Sequence, residues 1–170
     1  QAHSALRHLY SNRIYPCYID RIREVLERWG GLWIIENVPG APLRDPVQLC
    51  GSAFGLRVRR HRLFESNLPL RGTSCDHKAQ GHPIDVSGTG GPRRNSQPGD
   101  HGGSRNKPRT IAEARAAMGI DWMTRYELSQ AIPPVYAMYL AEQIVEAAMD
   151  CVPVKERRAG QRGLFMEATT

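Results

Sequence analysis

Between positions 71 and 109 the chain holds eight glycines (72, 81, 88, 90, 91, 99, 102 and 103), four prolines (83, 92, 98 and 108), and almost no large apolar residue. A stretch of this composition cannot bury enough apolar surface to offset the entropy of ordering it. Any core must therefore come from the two flanking parts, joined across a long irregular insertion of the kind that usually carries function. Its second half is basic, with Arg93, Arg94, Arg105, Lys107 and Arg109 against Asp100 alone. The chain's net charge of +6 points the same way, toward a polyanionic partner.

The part before the insertion reads as alternating helix and strand. Ile19, Ile22, Val25, Leu26 and Trp29 share one face of a helix over 15–29, which Gly30-Gly31 stop. Residues 32–38 read as a short, fully buried strand. Asp45 is positioned to cap a helix over 46–53, with Pro46 in its first turn. Strands are expected at 56–58 and 62–64. After the insertion, Thr110 caps a helix over 111–118 that Gly119 closes. Helices follow at 125–131 and 134–149, the last with the apolar stripe Tyr136, Leu140, Ile144 and Ala148. Trp33 and Trp122 are assigned to the core. This order predicts an α/β sandwich. The expected divisions are 1–70, 71–109, 110–150, and a charged tail at 151–170.

The chemistry concentrates at two places. Glu36-Asn37-Val38 ends the apolar run Leu32-Trp33-Ile34-Ile35, and open α/β sheets place their ligands at such strand tips. Further on comes Arg59-Arg60-His61-Arg62-Leu63-Phe64. A carboxylate and an Arg-x-Arg at neighbouring strand ends make a polar clamp for a flat, hydrogen-bonding ligand such as a nucleobase. The four cysteines, Cys17, Cys50, Cys75 and Cys151, form no C-x-x-C pair and read as reduced thiols. Cys75, His77 and His82 have a spacing that suits zinc, but no fourth ligand is evident, so no metal is assigned. No apolar stretch approaches the roughly 20 residues of a membrane span, and no signal peptide is visible, so a cytoplasmic protein without a membrane partner is expected.

Four ordered matches resemble the C5-cytosine DNA methyltransferases, in wording most similar to small bacteriophage and actinobacterial members. Gln1-Ala2-His3-Ser4 looks like the residues after the catalytic Cys of that family's Pro-Cys-Gln motif. Glu36-Asn37-Val38 is similar to its Glu-Asn-Val motif, and Arg60-His61-Arg62-Leu63-Phe64 to its Arg-x-Arg and following strand. Residues 124–136, with Glu127-Leu128 and Ile132-Pro133-Pro134, resemble the motif after the target-recognition region. The likeness runs from Gln1 to about Met149. The chain departs from the family pattern at Val58, where a Gln is usual, at Tyr126, where an Arg is usual, and in lacking the last motif's Gly-Asn.

The resemblance implies a partial Rossmann-like class I methyltransferase fold, a parallel-sheet three-layer sandwich whose target-recognition region is the insertion at 71–109. It implies transfer of a methyl group from S-adenosyl-L-methionine to C5 of cytosine in duplex DNA, by way of a covalent Cys adduct. The Cys and the glycine-rich cofactor motif are expected ahead of Gln1. Pro16-Cys17 is no substitute, being too close to Glu36 and followed by Tyr18. Glu36 would assist at N3 of the base, Arg62 would hold its O2, Asn37 would fix the strand end, and Arg60 would order the adjoining loop. Gln1, His3 and Ser4 would lie on a loop closing over DNA, and Arg93, Arg94, Arg105, Lys107 and Arg109 would contact the target. Residues 137–145 would pack beside the cofactor. The expected setting is a bacterial cell or a phage-infected host, with a monomer once any missing N-terminal half is supplied. The alternatives are a non-catalytic DNA-binding remnant, one half of a split methyltransferase, and a tRNA methyltransferase of the same fold.

Overall fold

The computed structural model describes residues 2–3, 12, 14–87 and 106–150, the last without its side chain. It is mixed α/β. Helix α1 (Ile19–Trp29) is followed by strands β1 (Ile34–Asn37), β2 (Val47–Leu49) and β3 (Arg62–Ser66), then helices α2 (His77–Gln80), α3 (Ile111–Met118), α4 (Arg125–Gln130) and α5 (Pro134–Asp150). A 3-10 turn, Gly51–Phe54, stands where part of the helix over 46–53 was expected, and Val47–Leu49 is strand instead. The chain at 56–58 forms no strand.

The three strands pair in the order β1-β3-β2, and both pairings are antiparallel. This corrects the expected parallel sheet for the described strands. The reason lies in the link from β2 to β3, which contains only the 3-10 turn. A parallel pair needs a crossover, usually a helix, whereas an antiparallel neighbour needs only a turn back. Strand β3 inserts between the other two, so β1 and β2 run parallel to each other. The outer edge of β1 has no strand partner among the described residues.

Strand alternation sorts the side chains by face. Phe64 pairs with Glu36 on one side and Val47 on the other, and Leu49 pairs with Arg62. Glu36, Arg62, Phe64, Val47 and Leu49 therefore share the face covered by α5. There Leu49, Phe64, Tyr136 and Leu140 form a buried cluster, with Phe54 and Tyr139 packed against it. The stripe on α5 is buried at Tyr136 and Leu140 and reaches solvent by Ala148.

The opposite face carries Glu65, which takes a two-pronged hydrogen bond from the buried Arg23 of α1. Arg23 also pairs with Asp20, and the Arg44 N–H donates to Glu65 Oε2 at 2.8 Å. Helix α1 thus meets the sheet through Ile19 and Arg23, while Ile22, Val25 and Trp29 stay exposed. Only Ile35 of β1 is fully buried, so this strand is less enclosed than its sequence suggests.

A second core joins α3 and α4 to the loops. Val58, Ile84, Val86, Ala114, Ala117, Met118, Ile120 and Leu128 form it. Ile84 and Val86 lie inside the stretch expected to be an irregular insertion, so residues 84–86 belong to the folded body. Helices α3 and α4 start as their sequences predict. Thr110 Oγ1 accepts from the Glu113 N–H, and Thr124 and Glu127 form a reciprocal capping box. Trp122 is 66% exposed and lies outside both cores, contrary to expectation.

Candidate functional site

The register brings the two arginine and carboxylate motifs together. Glu36 stands at the C-terminal end of β1 and Arg62 at the N-terminal end of β3, which are adjacent because the strands are antiparallel. They are diagonal neighbours on one face, a separation that a long side chain spans. Arg62 Nε and Glu36 Oε1 form an ion pair at 2.9 Å. Glu36 keeps 33% of its side chain exposed and Arg62 17%, so the pair is sheltered yet open on one side.

Two influences oppose each other at Glu36. Burial pushes its carboxyl above the ordinary carboxylate range, and the charges of Arg62 and Arg60 pull it back. The net direction is upward, so burial wins. The group thus holds a proton at higher pH than an ordinary glutamate while remaining within reach of a ligand.

Arg60 is built into the site rather than exposed to solvent. Its φ of +36° is in the left-handed region, which is costly for a residue with a Cβ. Two contacts hold it there. The Tyr136 hydroxyl lies 3.0 Å from the Arg60 carbonyl and 3.2 Å from that of Arg59. Arg60 NH2 donates to the Ser129 carbonyl of α4 at 2.7 Å. Burial, with the neighbouring Arg62 charge, pushes its guanidinium down to about 10. Its buried Nε has no hydrogen-bond partner. This strain and the unspent donor lie next to the Glu36–Arg62 pair.

Asn37 faces away from Glu36 along the strand, and its Oδ1 accepts the Val38 N–H at 2.9 Å, fixing the turn that ends β1. Of the residues expected on DNA, Gln1, Ser4, Arg93, Arg94 and Arg105 lie outside the described residues. His3 Nε2 lies 3.1 Å from Cys17 Sγ. Lys107 is not a free cation. Its ammonium pairs with Asp85 Oδ2 at 2.8 Å and meets Ser87, so it ties the loop at 85–87 to the start of α3. Arg109 is exposed, and its backbone N–H donates to Glu113.

The sequence pairing of Cys75 and His77 with His82 is not formed, since His82 is exposed and apart. Instead Cys50, His61, Cys75 and His77 converge, each offering one donor atom, all within 4.8 Å of one another. Cys50 follows β2 and His61 precedes β3, so this cluster shares the sheet end with Glu36 and Arg62. No spacing rule links positions 50 and 61 to 75 and 77, which is why the sequence alone did not show it.

For S-adenosylmethionine the described residues do not fit. They include no glycine-rich strand-loop-helix turn, and residues 137–145 leave Met138 and Val145 more than half exposed on α5 rather than lining a cavity. A groove of about 450 Å³ lies at the far end of the sheet, lined by Trp33, Val47, Ser66 and Asn67 among others, away from Glu36. No helix among the described residues is long and apolar enough to cross a membrane. Comparison with protein-family models, with curated proteins and with solved structures found no match.

Proposed function

We propose that this chain is the base-handling portion of a DNA (cytosine-5-)-methyltransferase, whose overall reaction moves a methyl group from S-adenosyl-L-methionine to C5 of cytosine. The observation that carries this is the Glu36–Arg62 pair, sheltered at a strand end beside Asn37 and the strained Arg60. Because C5 of cytosine is a poor nucleophile, a thiolate must first add at C6, and that addition is easier when N3 receives a proton or a hydrogen bond. A carboxyl raised by burial is suited to that task. Arg62, already aligned with Glu36, has donors for the carbonyl O2 of the same ring edge. Arg60, held by Tyr136 and Ser129, keeps the segment before β3 rigid.

In this reading the thiolate comes from a residue ahead of Gln1, as the resemblance implies. The residues that hold the methyl donor are others than those described, and no step is derived through it. The finer fold assignment, a Rossmann-like sheet, is supported by the parallel sense of β1 and β2. Large parallel sheets often carry one antiparallel strand, and the open edge of β1 is where further parallel strands would add.

A split enzyme is the second reading, favoured by the exposed apolar face of α1 at Ile22, Val25 and Trp29 and by that open edge. The test is transfer of a labelled methyl group by the full reading frame containing this chain. Duplex DNA, single-stranded DNA and tRNA are offered as separate substrates. Label entering duplex DNA at cytosine supports the proposal. Label entering only tRNA, or none entering DNA whether or not a complementing N-terminal half is supplied, contradicts it.

A further inference from the structure

We infer that Cys50, His61, Cys75 and His77 form a tetrahedral zinc site that pins the root of the glycine-rich insertion to the end of the sheet. Zinc with two thiolates and two imidazoles is a standard structural ligand set. With Zn–S near 2.3 Å and Zn–N near 2.0 Å, a regular tetrahedron places its donor atoms about 3.3–3.8 Å apart. Two of the distances already match, with Cys50 Sγ 3.3 Å from His77 Nε2 and His61 Nε2 3.3 Å from Cys75 Sγ. No pair of donor atoms exceeds 4.8 Å, so closing on a metal requires a contraction of about 1.5 Å at most.

Two features of the surroundings support this assignment. First, α2 is only four residues long and buries none of them, so apolar packing does not account for its position. What ties it down is polar, namely Gln80 Nε2 to the Leu56 and Val58 carbonyls and the donor cluster itself. Second, the sulfurs have outer partners. Cys50 Sγ lies 3.1 Å from Ser52 Oγ, and Gln48 Nε2 lies 3.7 Å from Cys75 Sγ. Ser52 Oγ also receives the Asp76 N–H, so one hydroxyl joins both ligand-bearing segments. Such partners orient ligands and tune a metal.

On binding, two zinc–sulfur and two zinc–nitrogen bonds form, zinc sheds its waters, and the two thiol protons pass to solvent. The ion would lock residues 75–77 against the chain ends of β2 and β3. The start of the insertion would then hold a fixed place relative to Arg60 and Arg62. This inference is independent of the methyltransferase proposal, because a structural clip would serve any function of the same fold.

The test is metal content and ligand geometry in the full chain, purified under reducing conditions. Elemental analysis is expected to find about one equivalent of zinc. Cobalt added to the chelator-stripped chain is expected to give the intense visible bands of a tetrahedral ion and a thiolate-to-cobalt charge-transfer band. Cys50→Ser with Cys75→Ser should abolish both, Ser52→Ala should weaken binding by about tenfold, and His82→Gln and Cys17→Ser should change nothing. Should the ligand variants fail to fold, the cobalt spectrum of the unmutated chain still decides. No bound zinc together with no thiolate band, or an octahedral cobalt spectrum, or loss of metal in His82→Gln, would overturn the assignment.

Discussion

Arg62 Nε and Glu36 Oε1 form an ion pair at 2.9 Å across the diagonal of the β1–β3 pair, yet the Glu36 carboxyl is still pushed above its ordinary range. The ion pair alone would lower it. Partial burial of the carboxylate at the strand end outweighs the arginine.

The Glu36 proton should therefore persist above about pH 4.3, the value of a free glutamate. The sign follows directly. A raised carboxyl adds stability below its unfolded value and loses that contribution as pH rises through the folded one. Removing Arg62 deletes the leading influence that lowers it, so Arg62→Met should move the midpoint further up. Carbon-detected NMR of the Glu36 side-chain carboxyl reads this. A midpoint at or below the free value, or a downward move in the variant, contradicts the electrostatic account of the site.

Arg23 and Glu65 form the buried pair that fastens α1 to the sheet, with Arg23 NH2 2.8 Å from Glu65 Oε2. The hydrogen bond from Arg23 is the main influence holding the Glu65 carboxyl below its ordinary range. Its contribution is thus present above the unfolded value and lost as pH falls through the lower folded one. Glu65→Gln should destabilise the chain by about 3 kcal/mol at neutral pH, because a buried guanidinium loses its counter-charge. It should also flatten the acid limb of stability below about pH 4.3. Urea denaturation midpoints across pH test both statements, and an unchanged acid limb would count against them.

Tyr136 is fully buried, and its hydroxyl lies within hydrogen-bond distance of the Arg59 and Arg60 carbonyls. Tyr136→Phe keeps the ring in its cluster with Phe54 and Phe64 but frees the backbone bend at Arg60. The expected cost is about 1–2 kcal/mol in stability. Methyl transfer should fall through kcat more than through KM, since the site is positioned less well. A change in stability with no change in turnover would show that the bend does not serve the site.

Arg109 and Lys107 should separate sharply in DNA binding. Arg109 is exposed, whereas Lys107 is spent on Asp85 and Ser87. Arg109→Ala should reduce the slope of log affinity against log salt by about 0.9, the value for one lost phosphate contact. Lys107→Ala should lower thermal stability and leave that slope unchanged. The opposite pattern would mean that Lys107 leaves Asp85 when DNA arrives.

Much of this arrangement was legible in the chain. The cap at Thr110, the stop at Gly119 and a strand starting at Arg62 follow from local chemistry, and the structure has them, with the strand running two residues past the expected 62–64. The gathering of Glu36 and Arg62 at neighbouring strand ends was expected from the two motifs, but the antiparallel register that joins them was not, because it depends on a long-range pairing. The helix over 46–53 failed because Val47 and Leu49 gain more from pairing with β3 than Pro46 and Asp45 gain from starting a helix. Ile84 and Val86 were hidden by their glycine-rich neighbours, although Val58, Met118 and Leu128 bury both. The Cys50–His61–Cys75–His77 cluster was invisible for the same reason as the register, since its four members come from three separate turns of chain.

The most direct test of the central claim is 5-methylcytosine in DNA from cells expressing the full reading frame around this chain, measured by nucleoside mass spectrometry. The account predicts a clear rise over the empty vector, and a loss of about 100-fold in Glu36→Gln with DNA binding retained. No rise from a soluble, DNA-binding product, or an undiminished rise in Glu36→Gln, would contradict it.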